Sequence, residues 1–270
     1  MFCSQCLFQS IVSRSVLSKT YSSKQVHESM FGKLTCKECS YPVPVDVQAL
    51  LATAIGELRF QFWDPVEVLM RLLLTGPLSA DNSNLQFGPR DGDYYEDFCD
   101  GDRLRRVYAY SLPKKGTALT CVLFFDKINM DEKGFASGDG VLIVGGFFTR
   151  RARESTLAKA SLGTFPNFNV PKVNRDRKVI KDFKKAYRAY FHSKIYECFL
   201  DFNRRGGAQC ALQSGVTMHF EKAIILAIYA DQPVATECTL TGSACPVCYC
   251  QRSSIGASSA PSCISTVTTV

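Results

Sequence analysis

The sequence predicts an α/β fold built on a mixed sheet, incomplete at its C-terminal end and preceded by a mostly helical N-terminal region. Three observations predict it. Apolar runs of strand length stand at 118–126, 141–149 and 222–231, with a weaker one at 155–166. One long stretch of helical period separates the last two. Residues 46–77, by contrast, repeat their apolar positions at helical spacing.

Taken in order, residues 1–45 are polar, contain cysteines, and close on "SYPVPVD", whose two prolines break any regular element. In "VQALLATAIGELRFQF", Leu50, Leu51, Ile55 and Leu58 recur as on one helix face. "DPVEVLMRLLL" opens a second helix, with Asp64 as N-cap, Pro65 at the first helical position, and Val66, Leu69, Met70 and Leu73 on one side. The segment "DGDYYEDFCDGD" (91–102) holds six acids, but its spacing does not fit an EF-hand, so it reads as a solvated loop. A helical region thus spans 46–115.

The pattern then changes. "ALTCVLFFD" (118–126) reads as a strand that ends on Asp126, "NMDEKGFASGDG" as a turn-rich connection, "VLIVGGFFT" (141–149) as a second strand and "STLAKASLGTFP" (155–166) as a third. From about 178 to 204, Ile180, Phe183, Tyr187, Phe191, Ile195, Cys198 and Phe202 recur at three- and four-residue steps, which predicts one long helix. "CALQSGVTMHF" suits a short hairpin or a loop. "KAIILAIYAD" (222–231) is a fourth strand, and it too ends on an acid, Asp231. Residues 116–250 therefore read as the core, and the Ser/Thr-rich 251–270 as a disordered tail.

Composition bounds the function. The chain has 270 residues, 46% of them hydrophobic, enough to bury a substantial core. No apolar run reaches the roughly 18 residues of a membrane span. A net charge of +7 permits contact with nucleic acid without demanding it. The basic residues cluster at 150–153 and along 172–188. Such runs are commonly the solvated face of a helix, but a DNA backbone would be met here by Arg175, Arg177, Lys178, Lys181, Lys184, Lys185 and Arg188. There is no Gly-rich phosphate loop and no Ser or Cys nucleophile constellation, so no small-molecule substrate is expected.

The order strand, strand, strand, helix, strand is that of a ribonuclease-H-like core. In that arrangement the first and fourth strands lie side by side and parallel, and their ends can present Asp126 and Asp231 to shared Mg²⁺ ions. Two such ions activate the attacking oxygen and stabilise the leaving one in a phosphoryl displacement. Hard oxygen ligands suit Mg²⁺.

Several blocks add to this reading. They are "FWDPVEVLMRLLLTGPL", "CDGDRLRRVYAYSLPKKGTALTCVLFFDKINMD" and "AIYADQPVATECTLTGSACPVC". In this order they resemble transposases of the fungal Plavaka type, relatives of the CACTA (En/Spm-like) DNA transposons. The likeness covers about residues 60–250. It rests on the DP-rich helix, the Gly101-Asp102 step, the strand ending in Asp126-Lys127, the Asp231-x-Pro233 close and "GSACPVC". It implies DNA cleavage and strand transfer in the nucleus, with Asp126 and Asp231 as catalytic Mg²⁺ ligands.

Two departures follow. The family draws a third acid from a helix beyond the second aspartate, whereas no Asp or Glu follows Glu237 here; its "Ser-Asp-Lys-Thr" reads "FDKI". A truncated fragment without strand-transfer activity is the expectation.

The thirteen cysteines open a rival reading, a non-enzymatic zinc-containing module that binds DNA or protein. Cys245, Cys248 and Cys250 offer three thiolates to Zn²⁺, with Cys263, Cys238 or His219 as a fourth ligand. Cys3-x-x-Cys6 with Cys36-x-x-Cys39 could form a second site. Spare thiols would look the same. The Ser-rich, acid-free first residues overlap in composition with a mitochondrial transit peptide, a minor alternative for location.

Overall fold

The computed structural model describes residues 34–51, 55–90, 97–114, 116–129, 137–166 and 177–230. Of residues 98, 126–129, 137, 138, 166 and 230 it gives the backbone. The strands are β1 (Cys36–Pro42), β2 (Glu57–Trp63), β3 (Thr117–Asn129), β4 (Ser137–Gly145), β5 (Lys159–Pro166), β6 (Ala208–Ala211) and β7 (Thr217–Ala230). They form one sheet of order β1-β2-β5-β4-β3-β7-β6. Every neighbouring pair is antiparallel except β3 and β7, which run parallel. The helices used below are α1 (Val45–Leu51), α2 (Pro65–Leu74), α3 (Asp102–Arg106), α4 (Arg150–Glu154) and α5 (Lys178–Arg204).

Local chemistry accounts for the helices. Asp64 caps α2, its Oδ1 accepting from the backbone N–H of Val66 (2.9 Å) and of Glu67 (3.3 Å), and Pro65 occupies the first turn. These bonds satisfy donors that the helix itself leaves open. In α5, the seven apolar positions read from spacing are all buried, and Phe199 joins them. That stripe packs on an aromatic layer. Phe191 meets Phe60 with ring centroids 5.0 Å apart, and Phe165 meets Phe60 at 5.0 Å and Tyr187 at 4.8 Å. Burying each such ring stabilises the fold by about 1.5–3 kcal/mol.

Three expectations are corrected. Residues 57–63, read as a helix through Leu58, form β2, because Phe60, Phe62 and the β1 partner offer a two-residue alternation that burial prefers. Residues 36–42, placed in the polar N-terminal segment, form β1 and extend the same sheet. Finally, β3 does not stop at Asp126 but runs on to Asn129, held by pairing with the Ser-Gly-Asp-Gly start of β4.

The β1–β2 hairpin joins the rest of the sheet at Phe62↔Gly163. A side chain at 163 would put its Cβ 2.7 Å from the Gln61 carbonyl oxygen, at φ +156, so glycine is required there. Gly206 at φ +78 and Gly207 at φ +81 follow the cap residue Arg205 of α5, and at Gly207 a Cβ would strike the backbone of β7 at Phe220.

Candidate functional site

The parallel pair β3–β7 has its last described register pair at Phe125↔Ala230. Asp126, the next residue of β3, has Gly140 of β4 as its backbone partner. Asp231, which follows Ala230 in sequence, lies outside the described residues, as do Arg175, Cys245, Cys248, Cys250 and the 251–270 tail.

Around the end of β3, two elements converge that sequence spacing did not connect. Asp139 of β4 is the register partner of Lys127. Its side chain is 12% exposed and pairs with Arg188 of α5 at 3.4 Å. One turn further along α5, the His192 ring stands against Phe125 with centroids 4.8 Å apart. Burial, aided by the nearby Arg188 charge, pushes the imidazole down to about 4, so His192 is neutral at neutral pH. Burial and then the Asp139 carboxylate push the Tyr187 phenol up. The middle turns of α5, at Arg188 and His192, therefore lie over the border of the sheet at which β3 ends and β4 begins.

This arrangement sorts the basic residues. Arg188 is half-buried and ties α5 to β4, so its charge is already engaged with Asp139. Arg177, Lys178, Lys181 and Lys185 are exposed, and Lys184 is half-buried. Lys178, Lys181 and Lys185 follow one another at three- and four-residue steps, on the side of the helix away from Ile180, Phe183 and Tyr187.

In the acidic stretch read as a solvated loop, residues 91–96 lie outside the described residues, and Asp97 and Asp100 depart from that reading. Asp97 forms an ion pair with Arg153, both side chains being almost inaccessible at 4% and 8%. Arg153 also donates to the carbonyl oxygens of Gly146 and Phe148. Asp100 is fully buried and accepts from Arg90 Nε at 3.1 Å and from Arg90 Nη2 at 2.5 Å. Those hydrogen bonds hold its carboxyl below the ordinary carboxylate range. Between the two acids, burial pushes the Cys99 thiol up to about 12, and its Sγ donates to Gly146 O at 3.0 Å. This network clamps the segment before α3 onto the turn after β4. Its signal in sequence was the basic cluster at 150–153, which read as surface.

The zinc reading gains no ligands from the described residues. Cys36 and Cys39 sit in the regular β1 ladder, paired with Trp63 and Phe60, where a chelating pair needs a tight turn to converge its sulfurs. Among the described residues, no group of three or more His, Cys, Asp or Glu side chains is placed to hold a metal, and none of Cys36, Cys39, Cys99, Cys121, Cys198 and Cys210 forms a disulfide. No described helix is long and apolar enough to cross a membrane.

Compared with protein-family models, curated proteins and solved structures, the chain has no match.

Proposed function

We propose that this is a transposase-derived protein with a ribonuclease-H-like core, in which Asp126 and Asp231 hold Mg²⁺ and the exposed lysine face of α5 contacts DNA phosphates. The observation that carries this reading is the parallel register ending at Phe125↔Ala230, because Asp126 and Asp231 are the next residues of the two chains. Strand order supports it: β5-β4-β3-β7 sets three antiparallel strands beside a fourth that is parallel to the first. Asp126 and Asp231 supply hard oxygen donors, while the ancestral reaction, cleavage followed by attack of a 3′-hydroxyl, needs a third acid. Residues 238–270 supply no such acid, and what is proposed here is the binding of metal and DNA.

The test is a Mn²⁺ and Mg²⁺ titration by calorimetry, run beside a plasmid-nicking assay. Asp126→Ala and Asp231→Ala each abolish the metal heat, and no variant nicks. Nicking that survives Asp126→Ala, or metal heat that survives both substitutions, overturns the assignment. Zinc analysis of the purified chain, with Cys245, Cys248 and Cys250 intact or changed to serine, separates this reading from that of a zinc module.

A further inference from the structure

The other end of the sheet carries a feature unrelated to the strand ends. A cleft of about 410 Å³ lies between β1 and α5. One wall is formed by Lys37, Glu38, Cys39 and Ser40, four consecutive residues of β1. Along β1, Lys37, Cys39 and Tyr41 are half-buried, whereas Glu38, Ser40 and Pro42 are exposed. Successive side chains of a strand point to opposite faces, so a cavity that touches four in a row touches the strand along its edge. β1 is the first strand of the sheet, and among the described residues no strand pairs with its outer side. Alternate residues of such an edge direct N–H and C=O groups away from their one neighbour.

The facing wall belongs to α5. Tyr190, Lys194, Glu197 and Asp201 line the cleft from one face of the helix. They span about 16 Å of helix axis, against about 10 Å from the first to the last of the four strand residues. A trough bounded by an open strand edge and a helix has the shape that accepts one more extended strand.

Charge selects the occupant. The Lys194 ammonium is held by Glu197 at 2.8 and 2.7 Å, and that of Lys37 pairs with Asp64 at 3.6 Å. Asp201 pairs with Arg204 at 3.6 Å. Glu38 accepts instead from the neutral Gln61 amide at 2.7 Å, which leaves its negative charge uncompensated among the described residues. We propose that the β1 edge and the α5 face form a binding groove for an extended peptide, which adds as an eighth strand and sets a lysine or arginine opposite Glu38.

The experiment uses the full chain and a short, end-blocked, fluorescein-labelled peptide of alternating valine and threonine with one central lysine. A second peptide carries glutamate in place of the lysine, and a third has alternate backbone amides N-methylated. By anisotropy, the lysine peptide binds about fivefold more tightly than the glutamate peptide, the difference expected of a cross-strand charge pair. In Glu38→Lys that order inverts, and the methylated peptide binds neither protein. Circular dichroism checks that Glu38→Lys, a change at an exposed position, keeps the fold. Equal binding of the methylated peptide, an order that does not invert, or no saturation by millimolar peptide each overturns the proposal. A dimer in light scattering that Glu38→Lys dissociates assigns the edge to a second copy, and likewise overturns it.

Discussion

Removing the charge of Asp97 tests the buried clamp directly. In Asp97→Asn, the Arg153 guanidinium, 8% exposed, loses this carboxylate and keeps the neutral carbonyls of Gly146 and Phe148. Breaking one side of a buried ion pair costs about 3–5 kcal/mol. Because those carbonyls still accept its N–H groups, the lower end, about 3 kcal/mol, is expected here. For a chain of this size that corresponds to a drop in melting temperature of about 6–10 °C. Arg153→Met strands the Asp97 carboxylate in turn, whereas the double variant removes both charges together. Its loss should fall short of the sum of the two single losses by about 2 kcal/mol, the signature of direct coupling. Urea unfolding with matched slopes measures all three. A loss under about 1 kcal/mol in Asp97→Asn, or strict additivity, refutes the claim that this pair holds the segment before α3.

Four further outcomes follow. His192 is held neutral in the fold with its imidazole down at about 4, so the unfolded chain takes up its proton first. Stability therefore falls as pH drops from about 6.5 to about 4, by up to about 3 kcal/mol, and His192→Gln flattens that limb. The depressed Asp100 carboxyl adds stability that is present above its unfolded value and lost below about pH 4, a separate limb that His192→Gln leaves in place. Phe191→Ala empties a site that is 2% exposed and ringed by Phe60, Phe62 and Phe165, at a cost of about 3–5 kcal/mol in chemical denaturation. Gly163→Ala drives a Cβ into the Gln61 carbonyl and loosens the β1–β2 hairpin, seen as faster amide exchange in β1 and β2 than in β3 and β4.

Much of the frame was legible where burial imposes a period. The α5 stripe, the Asp64-Pro65 helix start and the apolar β3 and β7 runs each leave a one-dimensional trace, because a helix or a doubly buried strand repeats its apolar residues locally. β1 left none. Its "CKECSYP" is half-buried on one side only, and its pairing with β2 depends on a contact across some twenty residues. β2 was misread because Leu50 to Leu58 carries a helical spacing that tertiary pairing overrides. The charged clamp was invisible for a related reason. Nothing local distinguishes an aspartate destined for water from one that meets an arginine 56 positions away. The parallel pairing of β3 with β7 was expected from the sequence, but the Asp139–Arg188 ion pair near the end of β3 was not, since it joins two elements read as turn and solvated helix.

The sheet is stitched at its middle by a long detour. β3, β4 and β5 pair in succession soon after they emerge, but the partner on the other flank of β3 is β7, so that Phe125 and Ala230 meet across roughly a hundred residues of chain. Nascent chains that have not yet made β7 leave bare one side of β3, whose residues 118–123 are all buried in the fold, and with it a hazard of sticking to one another. Refolding should accordingly end on the arrival of β7. Slowing or shortening that last segment would govern how much protein is recovered more than any change in the early hairpins.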